Sequence, residues 1–261
     1  MEDMLTNGVH RRPRIGGMAL RLAMVNGKAR DPAALGRFWA EALGWPVFSE
    51  RPGSTAVGPE GFSWPDPAAL CLDLIAVPDP GTVRGRLHLD LATTSAAHQR
   101  ELVGRLRDLG ATPADVGQGD VPWVVLADPE GTVFCVLEPR ETYRGTGPIA
   151  ALVVDCADPA VVARFWGAAL GWPVHETSGD VVRLRSPAGD GPYLEFLRVS
   201  GPRAWWNRLH VDLLPYPRED QMAEVARLRD LGATPADVGQ GDVPWVVLAD
   251  PEGNEFCVLA H

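Results

Sequence analysis

The stretch RLRDLGATPADVGQGDVPWVVLADPEG at Arg105–Gly131 occurs a second time, without a change, at Arg227–Gly253. Looser matches flank it, since RLHLDL at Arg86–Leu91 corresponds to RLHVDL at Arg208–Leu213. The chain is therefore a tandem duplication. Two copies are too few for a solenoid, so each copy is expected to be a domain or one half of a pseudo-dimer.

The composition excludes several classes of protein. The 261 residues are 46% hydrophobic and 22% charged, which is typical of a globular protein rather than a disordered or collagenous one. The formal net charge of -10 leaves no basic surface for nucleic acid or anionic lipid, so a small molecule is the expected partner. No stretch has the length of a signal peptide core or a membrane span, and we expect a cytoplasmic protein.

The length and the duplication predict two domains. We expect a disordered tail at residues 1–17, a first domain at 18–138, a polar linker at 139–148 and a second domain at 149–261. The repeats would form an internal pseudo-dimer, and the whole chain would be a monomer or a homodimer. The four cysteines show no C-x-x-C spacing, so neither disulfides nor a cysteine-rich zinc site is expected.

The second copy alternates strand-like and helical patterns. A short apolar run from Ile149 is followed by Asp158-Pro159, an N-cap and first-turn pair, and by an apolar stripe that Gly171 ends. Three strand-like runs separated by turn residues follow. The pattern therefore predicts a βαβββ unit for this half of the copy. The second half repeats the order, with a helix expected from about Arg218 to Leu231.

Several motifs occur in a characteristic order. They are Asp158-Pro159 ahead of Phe165-Trp166, L-G-W at Leu170, H-x-D at His210, and DPEGNEF at Asp250. In this order the chain resembles the vicinal oxygen chelate superfamily, in its glyoxalase-like and bleomycin-resistance-like branch. The resemblance implies an α+β fold of two tandem glyoxalase-like domains, in which paired βαβββ units form curled, cup-shaped mixed sheets that bind a ligand inside.

Strand alternation indicates which side chains face the cup. In RLHVDL the polar residues share one face, and the apolar residues on the other face are expected to cover the helices. With the corresponding first-copy residues and the inward residues of neighbouring strands, the predicted ligand-binding set is Arg86, Asp90, Trp123, Cys135, Arg208, Asp212, Trp245 and Cys257. The candidate acid–base groups are His88, His210, Glu195 and Asp73. Trp205 and Trp206 are further candidates for stacking on an aromatic ligand.

The resemblance also implies metal positions, which this chain fills only in part. Metal-binding relatives use a histidine on the first strand, a histidine at the H-x-D position and a glutamate on the last strand of the copy. Carried over to the second copy, these positions hold Ala151, His210 and Cys257, and the first copy holds Met24, His88 and Cys135. We therefore expect no metal and no other cofactor.

Three functions follow as hypotheses. The first is a binding protein that holds a small organic molecule in metal-free cups, which implies resistance or sequestration. The alternative is a lyase or isomerase that uses His210 and His88 with nearby carboxylates, with or without a divalent metal. The third is an interaction protein without a ligand. The sequence also leaves open whether each cup forms within one copy or across the two.

Overall fold

The computed structural model describes residues 20–66, 69–81, 85–200 and 207–261. These residues form four successive βαβββ units, and the predicted α+β fold is confirmed. The elements are β1 (Leu20–Ala29), α1 (Pro32–Leu43), β2 (Val47–Arg51), β3 (Ser54–Val57), β4 (Cys71–Ala76), β5 (Leu87–Leu91), α2 (Ala96–Asp108), β6 (Thr112–Pro113), β7 (Val124–Ala127), β8 (Val133–Val136), a 3-10 turn (Glu141–Tyr143), β9 (Ile149–Cys156), α3 (Pro159–Leu170), β10 (Val174–Ser178), β11 (Val181–Leu184), β12 (Tyr193–Arg198), β13 (Leu209–Pro215), α4 (Gln221–Asp230), β14 (Thr234–Pro235), β15 (Val246–Ala249) and β16 (Glu255–Val258).

The units pair across the two copies. The first sheet has the order β14-β15-β16-β13-β1-β4-β3-β2, and the second has the order β10-β11-β12-β9-β5-β8-β7-β6. Antiparallel pairing of β1 with β13 joins the first and last units, and pairing of β5 with β9 joins the two middle units. Each sheet curls around a concave face, which we name the first cup and the second cup after its sheet. Of the two arrangements that the sequence left open, the structure has the exchanged one.

Side-chain caps and glycines set the ends of the helices. Asp158 accepts hydrogen bonds from the backbone N–H groups at the start of α3, and Gly171 ends the helix in the left-handed conformation with φ 67°. Both ends of α3 are therefore where the sequence predicted. Helix α4 begins later than the predicted Arg218, because Arg218 has a positive φ of 80° and Asp220 is the N-cap.

One apolar core lies on the convex faces of both sheets. Helix α1 packs on β3 of the first sheet, yet its Trp39 ring lies 5.1 Å from that of Phe134 on β8 of the second sheet. The second half mirrors this contact with Trp166 and Phe256, again at 5.1 Å. Helices α1 and α3 therefore join the two sheets through aromatic contacts, and the concave faces are left to line the cups.

Some sequence-based expectations lie outside the described residues. The predicted tail at 1–17 is one, and the candidate stacking residues Trp205 and Trp206 are another. Among the described residues no helix combines the length and the apolar character that a membrane crossing requires. The expected cytoplasmic location stays a prediction.

Candidate functional site

Histidine and aspartate of the H-x-D motif lie at the centre of each sheet. In the first sheet, cross-strand register aligns His210 with Asn26 and Asp73, and Asp212 with Met24 and Cys257. The neighbours of these residues on β13, among them Val211 and Leu213, belong to the apolar core. The predicted alternation is therefore present, and His210 and Asp212 lie on the face opposite the core.

The first cup contains a compact polar cluster. His210, Asp212 and Cys257 are all buried, and their ligand atoms lie within 4.8 Å of one another. The distance from His210 Nε2 to Asp212 Oδ1 is 3.2 Å. Nevertheless Asp212 Oδ1 is buried and takes part in no hydrogen bond of acceptable geometry among the described residues. A buried carboxylate oxygen without a hydrogen bond is costly unless a cation, a donor or a ligand satisfies it.

The second cup repeats this cluster with His88, Asp90 and Cys135. The distance from His88 Nε2 to Asp90 Oδ1 is 3.5 Å, slightly longer than in the first cup. Burial, together with the charge of Glu195, raises the pKa of Asp90 to about 7. In the second cup the carboxyl groups of Asp90 and Glu195 therefore interact in poorly solvated surroundings.

The two remaining acid–base candidates differ in their surroundings. Asp73 is half-buried and accepts a hydrogen bond from Ser54 Oγ at 2.8 Å. Burial raises the pKa of Asp73, and the charge of Asp212 adds to the effect. In the second cup Glu195 is buried, and its Oε1 accepts hydrogen bonds from Arg183 Nε at 2.9 Å and from the Tyr143 hydroxyl at 2.8 Å. Asp73 thus has Ser54 as its hydrogen-bond partner and the charge of Arg51 nearby, whereas Glu195 has two hydrogen-bond partners.

Arg86 and Arg208 lie on the same strand faces as His88 and His210. Each arginine donates hydrogen bonds to the DPEG turn of the other copy. Arg86 Nη1 donates to the carbonyl of Glu252 at 2.8 Å and to Asn254 Oδ1 at 3.0 Å. Arg208 Nη1 donates to the carbonyl of Glu130 at 2.7 Å. Because these guanidinium groups already donate to residues of this protein, we interpret both arginines as positioning residues that join the two copies.

Trp123 and Trp245 are half-buried and immediately precede β7 and β15, the strands that pair with the cysteine strands β8 and β16. Each indole N–H donates to the side-chain oxygen of a glutamine in the preceding loop, Gln118 in the first copy and Gln240 in the second. The guanidinium of Arg140 lies over the Trp123 ring at 5.4 Å from its centroid. The identical stretch thus places one tryptophan beside each cup.

Two residues of the second cup were missed by the sequence reasoning. Tyr143 belongs to the predicted linker, yet it is only 5% exposed and packs in an apolar cluster with Cys135, Ala151 and Tyr193. Arg183, the second, pairs with both Glu195 and Glu176. The available signals were an aromatic residue in an otherwise polar linker and an arginine between apolar residues of a strand.

Tyr143 also lines a cleft of about 760 Å³ behind the linker. The cleft lies between the end of α1, the start of α2 and residues 139–148, and it includes exposed groups such as Arg105 and Arg144. None of the His–Asp–Cys residues lines it. We therefore place the candidate site on the concave faces, because the reactive groups converge there.

The fold family implies a metal ion, and the donor sets can be tested against it. Zinc accepts imidazole nitrogen, thiolate sulfur and carboxylate oxygen, and catalytic zinc sites use three protein ligands with one position open. The unsatisfied Oδ1 atoms of Asp90 and Asp212, buried beside a histidine and a cysteine, fit such an ion. The aspartate of the H-x-D motif would then replace the first-strand histidine that this chain lacks.

The family model described as "Glyoxalase-like domain" matches residues 23–137 and again 151–259. The chain therefore belongs to the glyoxalase-like domain family, in two tandem copies. The resemblance identified from the sequence is thereby confirmed.

Solved structures show the same fold. Glyoxalase I from Zea mays is similar over 92% of each chain, with a TM-score of 0.61 and 16% sequence identity. A putative dioxygenase from Bacillus subtilis is similar over 93% of this chain and 86% of its own, with a TM-score of 0.59 and 14% identity. No curated protein matches the chain in sequence.

Proposed function

We propose that the protein binds a small organic molecule in the first cup, in a role of resistance or sequestration. The observation that carries the proposal is the buried Oδ1 of Asp212, which has no hydrogen bond although it lies 3.2 Å from His210 Nε2. Around it Met24, Asp73 and Trp245 are half-exposed. A concave site with apolar walls and a few converging polar groups is the usual form of a small-molecule site.

A second candidate function is a lyase or isomerase reaction at the same place. The close His210–Asp212 pair favours it, because a buried carboxylate can orient an imidazole that accepts or returns a proton. The carboxyl group of Asp73, whose pKa burial raises, would be the complementary acid. A metal ion, when held by His210, Asp212 and Cys257, would supply Lewis-acid polarisation of a ligand oxygen.

Metal content and ligand binding test the proposal together. Protein purified without a chelator is analysed for zinc, iron and manganese, and binding is followed by tryptophan fluorescence and melting temperature over a panel of aromatic natural products. We expect a panel member to raise the melting temperature, and we expect His210→Ala to weaken that ligand about tenfold. The control His261→Ala removes an exposed histidine outside the cups and should change nothing.

The possible results separate the three hypotheses. Weakened binding without turnover supports sequestration, whereas turnover that His210→Ala abolishes supports the enzyme. Stoichiometric metal overturns the expectation of metal-free cups. A panel without any shift in fluorescence or melting temperature contradicts the proposal and favours an interaction protein.

A further inference from the structure

Strand register places Arg21 on the concave face of the first sheet. Arg21 on β1 lies opposite Leu214 on β13, and residues directly opposite each other in an antiparallel pair have their side chains on the same face. Leu214 shares its strand face with Asp212 and His210, because side chains alternate along a strand. The side chain of Arg21 therefore lies in the first cup, beside its polar cluster.

The guanidinium of Arg21 is buried with unsatisfied donors. The residue is only 6% exposed, and its Nε and Nη2 atoms are buried without a hydrogen-bond partner among the described residues. Burial lowers the pKa of Arg21 more than the charges of Tyr216 and Asp66 raise it. These charges therefore do not replace the missing hydrogen bonds, and buried donors without acceptors are costly.

The two unsatisfied atoms form one edge of the guanidinium, which we name the donor edge of Arg21. In a guanidinium group, Nε–H and one N–H of Nη2 point in the same direction and match the two oxygens of a carboxylate. A guanidinium has donors only, so the missing partner has to be an acceptor. A carboxylate bound side-on satisfies both atoms at once.

The second cup has no such donor edge at the equivalent position. The backbone N–H of Ala92, the counterpart of Leu214, donates to the carbonyl of Pro148. Pro148 therefore has the place of Arg21, next to the first residue pair of β9 and β5. Because a proline side chain donates no hydrogen bond, a ligand that needs the donor edge should bind in the first cup.

The other charged groups of the first cup act on one another. Lys28 interacts electrostatically with Glu255 on β16, and the charge of Arg51 acts on Asp73. The cup therefore holds charges of both signs, and its net charge does not determine the ligand. The donor edge of Arg21 is informative because its hydrogen bonds are missing, not because its charge is unbalanced.

A second unsatisfied group lies on the same face. Asp212 Oδ1 is buried and has no hydrogen bond within the described part of the chain, and Asp212 is two residues from Leu214, the residue opposite Arg21. Two residues of a strand span about 7 Å, a distance that a small molecule with two polar groups can cover. This oxygen needs a donor, because an ionised carboxylate only accepts.

We propose that the ligand of the first cup is a carboxylic acid that also carries a hydroxyl or N–H group. Its carboxylate would accept hydrogen bonds from both atoms of the donor edge of Arg21, and its hydroxyl or N–H group would donate to Asp212 Oδ1. This inference rests on the proposed function and names the ligand class of the same site.

The test uses the full chain and three probes of similar size: mandelate, the neutral mandelamide, and phenylacetate, which lacks the hydroxyl group of mandelate. Calorimetric titration should show one mandelate site per chain. Mandelate should bind at least about tenfold more tightly than mandelamide and at least about threefold more tightly than phenylacetate.

Two variants test the guanidinium itself. Arg21→Met should remove the preference for mandelate over mandelamide, and Arg21→Lys, which keeps the charge without the donor edge, should reduce it at least about threefold. Arg37→Met deletes an exposed arginine on α1 and should retain the preference. Without ligand, Arg21→Met should melt at or above the wild-type temperature, because it removes buried donors that have no partner.

Equal affinity for mandelate and mandelamide, or a preference that Arg21→Met leaves unchanged, overturns the inference while small-molecule binding stands. Equal affinity for mandelate and phenylacetate overturns the part assigned to Asp212. An Arg21→Met protein that melts lower or does not fold shows that Arg21 supports the fold, which also contradicts the inference. If no probe binds, the inference is wrong, and the natural-product panel decides the proposed function separately.

Discussion

Single residues explain why the two cups differ although they come from repeated sequence. The central groups are the same, since each cup has one histidine, one aspartate and one cysteine whose ligand atoms lie within 4.8 Å of one another. Three differences stand out: Arg183 in place of Ala56, Tyr193 in place of Cys71, and the additional Tyr143. These three changes add volume to the second cup, whereas register places Lys28 in the first sheet where the second sheet has Asp155.

The cysteines provide a prediction at this scale. Burial raises the pKa of Cys71 to about 12, and burial together with the negative charge of Asp212 raises the pKa of Cys257. Since only the thiolate reacts, we expect the Cys71 and Cys257 thiols of the folded protein to react with iodoacetamide at pH 7.5 at least about 100-fold more slowly than in guanidinium chloride. Mass spectrometry of the alkylated peptides measures this. A cup cysteine that reacts at the denatured rate would show that it is a nucleophile.

At the scale of elements, the repeated DPEG turn links the two sheets. The carboxylate of Glu252, in the turn before β16, accepts hydrogen bonds from the backbone N–H groups of Ala157 and Asp158, both at 2.7 Å. Glu130 does the same for the two residues before α1. The glutamate of each turn therefore fixes the two residues that precede α1 or α3. The turn sequence alone does not reveal this contact.

Removal of this contact should lower stability. Glu252→Ala leaves two backbone N–H groups to water, and we expect the free energy of unfolding to fall by about 1–2 kcal/mol. Urea unfolding followed by circular dichroism measures the change. Glu101→Ala, an exposed position on α2, is the matched control. If both variants unfold at the wild-type midpoint, the turn contact contributes nothing to stability.

The elements also show what the sequence can and cannot predict. Asp158, Pro159 and Gly171 have strong local preferences, so both ends of α3 were predictable. Strand alternation placed His210 and Cys257 on the cup face for the same reason. The buried position of Tyr143 and its hydrogen bond to Glu195 were not predictable, because they depend on a contact between segments far apart in the chain. The start of α4 was wrong because tertiary context holds Arg218 at a positive φ.

On the scale of the whole molecule, the sequence repeat and the sheet do not coincide. Each eight-stranded sheet is built from one βαβββ unit of each repeat. The first repeat contributes β1 to the first sheet and β5 to the second, and neither strand has its central partner within that repeat. In contrast, residues 85–200 contain every strand of the second sheet. Local sequence does not reveal this choice, since nearly identical strands can pair in either arrangement.

Fragments should reflect this difference. We expect residues 85–200 to be monomeric, whereas residues 18–138 should be a dimer in which two copies exchange units, because an unpaired central strand exposes its hydrogen-bonding groups. Light scattering of both fragments at equal micromolar concentration measures their masses. A monomeric 18–138 fragment that unfolds cooperatively would contradict the expectation.

The pairing of β1 with β13 also sets an order for folding during synthesis. Strands β5 to β12 are consecutive in the chain, so the second sheet is complete while the last unit is still being translated. Strand β1 has to wait for Leu209–Pro215 before its edge is covered. Such long-range pairing is slow and leaves an exposed strand edge, so the nascent first unit is the part of the chain that most needs protection by a chaperone.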